Sequence, residues 1–303
     1  MSTNPAFARH SLGIGFYLAG VGFFALNDAL GKHLVGDYSV GQLLFVRAIG
    51  AVAVLVPIML VAKVGFRMTG PWWMHLLRIA LQTADSFCFY FATWHLPLVD
   101  VMTFYMSAPI IVTAISGLFL GERVGPYRWG AVLVGFVGVL IALSPSGEVL
   151  SSEKMLGSFI ALAGAFGFAT SLAMTRRLRD NNPFSLVVWQ FIGGGIVGAV
   201  LCLQSWTQPT VIDFGWLLIL GIVAAGCFLL IARALALAPA SLLAPFQYSA
   251  IFWAGLFGWI WWQDAPTPRI IVGNAILIAS GLFVFYRERR LAVSVSDKVE
   301  QIP

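Results

Sequence analysis

Charged residues are scarce in this sequence: Asp, Glu, Lys and Arg make up 10% of its 303 residues, whereas 59% are hydrophobic. Water-soluble domains carry roughly 25% charged residues, so a soluble fold cannot bury this much apolar surface. The apolar runs are also continuous, which excludes a membrane β-barrel, because its strands alternate apolar and polar residues over about ten positions. The composition therefore predicts an all-α membrane protein.

Other absences narrow the function. The three cysteines have neither CxxC nor disulfide spacing, and the four histidines are scattered without a metal-ligand pattern. The sequence contains neither a GxxxxGK[ST] phosphate-binding loop nor a Gly-x-Ser-x-Gly elbow. We therefore expect no catalytic residues, metal, cofactor or nucleotide hydrolysis. The functions that stay open for a membrane protein of this kind include an intramembrane enzyme and a receptor or structural membrane partner.

Ten stretches are long enough to cross a bilayer, which takes about 20 apolar residues. These predicted spans are 12–34, 40–62, 72–94, 97–119, 126–144, 155–177, 184–204, 213–238, 240–262 and 269–287.

Positive charge is distributed unevenly between the two sides of the predicted membrane. If the N-terminus is cytoplasmic, twelve basic residues lie on that side: Arg9, Lys63, Arg67, Arg123, Arg128, Arg176, Arg177, Arg179, Arg287, Arg289, Arg290 and Lys298. Only Lys32, Lys154 and Arg269 lie on the other side. This bias predicts an inner (plasma) membrane protein with both termini in the cytoplasm. Because these charges sit in short membrane loops, we expect no nucleic-acid partner.

The two halves of the sequence correspond when one is shifted by about 142 positions. The matches in order are Gly15 with Gly157, Pro97 with Pro239, Phe104 with Phe246, Ser107 with Ser249 and Glu122 with Asp264. A five-helix unit leaves the membrane on the opposite side, so its second copy must be inverted. We expect a first repeat at 12–144, a second at 155–287 and a cytoplasmic tail at 288–303.

The segment from Leu96 to Leu140 carries Pro109, then Gly121-Glu122, then spaced glycines. It resembles the repeat of the drug/metabolite transporter superfamily, in particular its EamA-type ten-helix members. The second half departs from this pattern, since Gln263-Asp264 stands where Gly-Glu is usual. The resemblance covers residues 12–287 and implies a metabolite transporter built from two inverted repeats.

The first half resembles one bacterial subgroup of that superfamily, which includes S-adenosylmethionine and riboflavin importers. The shared residues are Asn27-Asp28-Ala29, Lys32, Gln42, Arg47 and Arg78. This resemblance implies a sizeable polar substrate without naming one.

The third predicted span carries a polar stripe, which consists of His75, Arg78, Gln82 and Asp85 on one helical face. A charge inside a span costs about 2.5–3.5 kcal/mol, so the stripe either lines an aqueous path or packs against polar groups of other helices. Arg78 and Asp85 are separated by roughly 10 Å along the axis, a distance that one zwitterionic ligand can bridge. A structural charge network is the alternative.

Charges in the first two spans are further candidates. Asp28 and Lys32 are spaced i, i+4 and can pair, either as a coupling or gating element or as an anchor. Asp28 or Asp85 can also carry a proton. Arg47, within the second span, can receive an anionic group or extend its side chain to the interface.

Proline and aromatic residues interrupt the fourth and ninth spans. Pro109 and Pro245 permit a bend there. Tyr105, Gln247 and Tyr248 lie nearby and can wall a cavity for a ring-bearing ligand, although aromatic core packing is the alternative.

The sequence as a whole favours a secondary transporter that moves a small polar organic metabolite, zwitterionic or anionic, by alternating access. The expected substrate-binding residues are Arg47, Arg78, Gln82, Asp85, Tyr105, Gln247 and Tyr248, with Asp28 and Lys32 for coupling or gating. The bilayer and the metabolite are the expected partners. A monomer suffices, since one chain holds both repeats, and a dimer is possible.

Overall fold

The computed structural model describes residues 5–95, 98–119, 125–143 and 152–262, and positions 271, 272, 275, 276, 279, 280, 283 and 286. All regular elements in these residues are helical. The helices are α1 (Pro5–Leu34), α2 (Val40–Val61), α3 (Trp72–His95), α4 (Leu98–Tyr105), α5 (Ala108–Phe119), α6 (Pro126–Leu143), α7 (Ser152–Arg177), α8 (Pro183–Cys202), α9 (Val211–Leu237), α10 (Ala240–Leu243) and α11 (Ala250–Trp262), with a 3₁₀ helix (Ala244–Ser249) between α10 and α11.

Part of the prediction falls outside these residues. The matched acidic pair Glu122 and Asp264, the tail 288–303 and most of the tenth span 269–287 are not described. The repeat boundaries, the ten-span count and the tail therefore stay predictions.

Five described helices are long and apolar enough to cross a membrane: Ala8–Gly31, Val40–Val61, Met155–Arg177, Pro183–Cys202 and Val211–Leu237. Each coincides with one predicted span. One face of these helices exposes apolar side chains, such as Phe166 at 56% and Ile196 at 62% exposure, whereas the charged Arg78 and Asp85 of α3 are 2% and 3% exposed. This distribution suits a lipid environment, because the bundle presents apolar atoms to its surroundings and keeps its charges inside.

Three long helices begin at capping side chains that the sequence supplies. The oxygen of Ser39 accepts from the backbone N–H of Gln42, that of Asn182 from Phe184, and that of Thr210 from Asp213. Each cap satisfies one of the free backbone donors at a helix start. The starts of α2, α8 and α9 are therefore set locally.

The fourth helical segment of each half is interrupted. Residues 97–119 and 240–262 were predicted as continuous spans, but α4 ends at Tyr105 and α5 begins at Ala108, while a 3₁₀ helix separates α10 from α11. Pro109 and Pro245 lie in the first turns of α5 and of the 3₁₀ helix, where the missing proline N–H cannot bond to the preceding turn. The bend predicted from these prolines is a break of the helix.

The two halves pack crosswise at the centre of the bundle: α1 lies against α9, α3 against α7, and α2 against α8. The pair α2 and α8 runs antiparallel. At one end, a Cβ added at Gly41 would lie 2.9 Å from the backbone N of Cys202; at the other, Ser185 donates to the carbonyl oxygen of Gly65 at 2.8 Å. These two helices contain the second predicted span of each half.

Side chains tie the loops together at each end of the bundle. At one end, the amide of Gln42 donates to the carbonyl oxygen of Thr207 at 2.6 Å and accepts from its N–H at 3.0 Å. At the other end, the side-chain oxygen of Asn181 accepts from the N–H of Thr69 at 2.6 Å. The side chain of Gln42, one of the residues that carry the subgroup resemblance, is therefore bonded to the loop before α9.

Candidate functional site

The polar stripe of α3 is buried, as its spacing predicts: His75, Arg78, Gln82 and Asp85 are each 2–3% exposed. Its face meets α7 and α8. The stripe therefore packs against polar groups of other helices, and part of it also lines cavities.

Arg78 is held by α8. Its guanidinium donates to Oε1 of Gln190 at 2.8 Å and to the carbonyl oxygen of Leu186 at 2.6 Å, while its Nε has no hydrogen-bond partner. The guanidinium thus links two helices that are 108 or more residues apart in the sequence. That Arg78 also touches substrate stays a prediction.

Asp85 is held by neutral donors. The amide of Gln82 donates to Oδ2 at 2.7 Å and the hydroxyl of Tyr105 to Oδ1 at 2.8 Å. The hydroxyl of Ser171 on α7 completes the network by donating to Oε1 of Gln82 at 2.6 Å. The network fixes the position of the Asp85 carboxyl group.

Arg47, on α2, points into the centre of the bundle. Its guanidinium donates to the hydroxyls of Tyr90 at 3.2 Å and Ser86 at 3.4 Å, and lies 5.7 Å from the ring centroid of Phe191. Among the described residues, no carboxylate lies within 4 Å of this guanidinium, although Arg47 is only 6% exposed. A buried cation with hydroxyl and ring partners has hydrogen-bonding capacity left for an anionic group.

Close backbone contact sets the position of Arg47. A Cβ added at Gly221 on α9 would collide with the carbonyl oxygen of Arg47, and one at Gly50 would collide with that of Leu218. The two glycines let α2 and α9 approach each other at this level. The Arg47 side chain is thereby directed toward α3.

One small cavity, with a volume of about 20 Å³, lies between α1, α2, α3, α4 and α9. Its polar lining consists of Asn27, Asp28, Arg47, Asp85 and Ser86. Its aromatic lining consists of Phe24, Phe89, Tyr90, Tyr105 and Phe228. We call it the carboxylate chamber, because both buried aspartates line it.

A second cavity, also of about 20 Å³, lies on the other side of Arg47, between α2, α3 and α8. Its polar lining consists of Arg47, Gln82, Thr83, Ser86 and Gln190 and includes no carboxylate. We call it the amide chamber. Arg47 and Ser86 line both chambers and so stand between them.

The structure brings together some of the predicted site residues. Asp28, Arg47, Asp85 and Tyr105 line the carboxylate chamber, and Gln82 lines the amide chamber. Gln247 accepts from the hydroxyl of Tyr17 at 2.6 Å, and Tyr248 donates to the carbonyl oxygen of Val132 at 3.0 Å. Neither of these two residues lines a chamber.

The side chain of Lys32 lies outside the described part of the chain, so its pairing with Asp28 stays a prediction.

Sequence reasoning missed Ser86, Phe89, Tyr90 and Gln190 as candidates for the site. The first three follow Gln82 and Asp85 at helical spacing on the same face of α3, a signal that extends the stripe by one turn. Gln190 is an amide in the apolar helix α8, which is unusual enough to mark it.

The site has the chemistry of a binding site. In the residues that the structure describes, no group of three or more His, Cys, Asp or Glu side chains can hold a metal ion. What the chambers offer is two carboxylates, one guanidinium, amides and hydroxyls, all enclosed by aromatic rings.

Two segments of the sequence, residues 11–144 and 155–286, each match the EamA-like transporter family. The chain belongs to this family. The double match confirms the internal repeat and the family resemblance that the sequence indicates. The chain is therefore a multi-pass membrane transporter for small metabolites and not an enzyme.

Named relatives are similar along most of their length. The chain is 23% identical to the S-adenosylmethionine uptake transporter of Rickettsia bellii, over 95% of this chain and 98% of that protein. It is 30% identical to the riboflavin transporter of Vibrio cholerae, over 77% of this chain and 79% of that protein. It is 24% identical to the pseudopaline exporter CntI of Pseudomonas aeruginosa, over 85% of this chain and 90% of that protein. These relatives thus include an uptake transporter and an exporter.

One solved crystal structure resembles the chain with a TM-score of 0.79 at 17% identity, over 96% of this chain and 99% of that one. At this identity the likeness concerns the fold.

Proposed function

We propose that this EamA transporter moves a small polar metabolite by alternating access, and that the metabolite binds in the two chambers around Arg47. The observation that carries the proposal is Arg47 itself, a buried guanidinium that faces two cavities and, among the described residues, donates hydrogen bonds only to two hydroxyls. Leaving a charge in this condition is costly unless it has a ligand to bind.

Ten membrane-spanning helices in two inverted five-helix repeats, 12–144 and 155–287, provide the framework for this movement. Support comes from α2 and α8, equivalent segments that run antiparallel, and from the crosswise pairing of α1 with α9 and α3 with α7. Such a pairing is what a pseudo-twofold axis in the membrane plane produces. The chambers lie where the two repeats meet, so rocking one repeat against the other exposes them to either side.

Both termini face the cytoplasm of an inner-membrane protein in this proposal. The loops 62–71 and 178–182 meet at one end of the bundle and carry Lys63, Arg67 and Arg179, whereas the loops 35–39 and 203–210 at the other end carry no basic residue. Cytoplasmic loops are the ones enriched in Lys and Arg.

The residues have separate roles in the proposed mechanism. Arg47 receives an anionic group of the metabolite, and Asp28 and Asp85 receive a cationic group or carry a proton. Gln82 and Tyr105 hold Asp85 in place. Arg78 acts through Gln190, while Gln247 and Tyr248 stabilise the interrupted helix of the second half. Asp28 with Lys32 gates the outer end of α1.

Reconstituted proteoliposomes test the proposal. Liposomes preloaded with unlabelled S-adenosylmethionine or riboflavin, the substrates named for its relatives, should accumulate the labelled form of at least one of them by exchange. Protein-free liposomes are the control. Absence of exchange for these and for a panel of amino acids and nucleotides would contradict the transport proposal.

A further inference from the structure

The two chambers differ in the charge that they present. The carboxylate chamber contains Asp28 and Asp85, and also the Oδ1 atom of Asn27, which has no hydrogen-bond partner although this side chain is only 6% exposed. A buried acceptor without a partner is costly, and an N–H or O–H donor of a ligand in this chamber would satisfy it.

The amide chamber presents hydrogen-bond donors and a positive charge instead. Oε1 of Gln190 accepts from Arg78, which leaves the N–H₂ group of this amide as a donor toward the chamber. Arg47, the amide of Gln82 and the hydroxyls of Thr83 and Ser86 complete a lining without any carboxylate. Donors around a guanidinium suit a carboxylate or another anion.

From this difference we infer that the substrate of the transporter is a dipolar metabolite that binds across both chambers, its cationic end beside Asp28 and Asn27 and its anionic end between Arg47 and Gln190. The inference rests on the proposed function and narrows its substrate class. A purely anionic metabolite would leave the acceptors of the carboxylate chamber without a donor, whereas a dipolar one engages both chambers. Because Arg47 and Ser86 line both chambers, the ligand passes beside them.

Arg78 acquires a role in specificity through this arrangement. Arg78 donates a hydrogen bond to the side-chain oxygen Oε1 of Gln190 at 2.8 Å, and this bond fixes which end of the amide faces the chamber. A glutamine that was free to rotate would offer an acceptor as readily as a donor. Arg78 is therefore a positioning residue for the anionic end of the substrate.

Matched probes test the inference. The purified protein is titrated with two pairs, arginine with agmatine and S-adenosylmethionine with its decarboxylated form, because the members of each pair differ by one carboxylate. Riboflavin and adenosine serve as ring probes without a charge pair. In at least one pair, we expect the carboxylate form to bind about tenfold tighter, the effect of one hydrogen-bonded ion pair.

Two variants assign the charges to their chambers. Gln190→Glu keeps the acceptor for Arg78 and the side-chain shape, but adds a negative charge to the amide chamber, so the preference for the carboxylate form should disappear. Gln208→Glu, at an exposed loop amide, should keep the preference. Asp28→Asn should weaken the binding of both members of the pair by a similar factor, about tenfold.

Several results would overturn the inference. These are equal binding of both members of each pair to the unmodified protein, tighter binding of riboflavin or adenosine than of any charged probe, no binding of any charged probe, or a preference that persists in Gln190→Glu. The comparison within the unmodified protein decides the matter even if a variant fails to fold. Riboflavin exchange in proteoliposomes without binding of charged probes would leave the transport proposal standing and remove this inference alone.

Discussion

Two buried arginines on neighbouring helices have different surroundings. Arg78 donates to a backbone carbonyl oxygen and an amide oxygen at 2.6 and 2.8 Å, whereas the hydrogen bonds of Arg47 to hydroxyls measure 3.2 and 3.4 Å. Short bonds to fixed acceptors on α8 indicate a structural link. Long bonds to hydroxyls at the boundary of two chambers indicate a group that can exchange partners for a ligand.

Replacing Arg78 tests the structural link. Arg78→Ala leaves the carbonyl oxygen of Leu186 and Oε1 of Gln190 without their donors, and a buried unsatisfied group costs about 1–3 kcal/mol. We expect the thermal unfolding midpoint in detergent to fall clearly below that of the unmodified protein. Arg179→Ala, in an exposed loop, is the control and should be neutral. An unchanged midpoint would contradict the structural role of Arg78 and favour direct contact with substrate.

The residues of the site were predictable where the signal is local. The stripe on α3 follows from spacing along a single helix, so its burial and shared face could be predicted. The partner of Arg78 lies 112 residues away on α8, and nothing in either segment specifies that pairing. The same holds for Gln247, whose hydroxyl partner Tyr17 lies 230 residues away. Tertiary packing decides which candidates line a chamber.

Gly221 lies where α2 and α9 pack closely, and Gly215 on the same helix provides a matched control. A Cβ at Gly221 would meet the Arg47 backbone, while one at Gly215 on the same helix meets no atom within 4 Å. Gly221→Ala should therefore destabilise the protein by about 1–3 kcal/mol, since overpacking pushes the helices apart. Gly215→Ala should leave the unfolding midpoint unchanged or raise it slightly. Equal unfolding midpoints for the two variants would contradict the close packing of α2 against α9.

The loop before α2 is joined to the start of α9 by one hydrogen bond. The hydroxyl of Tyr38 donates to Oδ2 of Asp213 at 2.8 Å. This bond raises the pKa of Tyr38 above its usual value near 10, because loss of the proton would put a second negative charge beside the carboxylate.

The raised pKa predicts a pH dependence of stability. Below about pH 10 the phenol is protonated in both the folded and the unfolded protein, so the contribution of the bond is complete. Above about pH 10 the unfolded chain releases this proton first, and stability should fall as pH rises. Thermal unfolding of the unmodified protein and Tyr38→Phe between pH 8 and about 11 measures the effect. The variant should show the shallower decline; identical slopes would contradict the bond.

At the scale of the whole molecule, composition and length were sufficient to predict the helical membrane class and five spans that the described helices share. The interruptions at 106–107 and 244–249 were predicted only as bends. A proline removes one hydrogen bond, and whether the helix bends or breaks depends on what the surrounding helices offer the freed groups. That information is not contained in the span itself.

The inverted arrangement predicts the location of the chain ends. A reporter that is active only in the cytoplasm should be active at both termini, because an even number of spans returns the chain to its starting side. A cysteine introduced in place of Ser205 should react with a membrane-impermeant thiol reagent from outside, in a background where the three native cysteines are replaced. Termini on opposite sides of the membrane would contradict two inverted five-helix repeats.

Exchange of labelled substrate by the Arg47→Gln variant in proteoliposomes tests the central claim most directly. If the metabolite binds at Arg47 between the two chambers, exchange should fall at least about tenfold relative to the unmodified protein, while the variant stays folded and Arg179→Gln retains full activity. Exchange by Arg47→Gln at the unmodified rate would contradict the account, because the carried metabolite would then bind elsewhere.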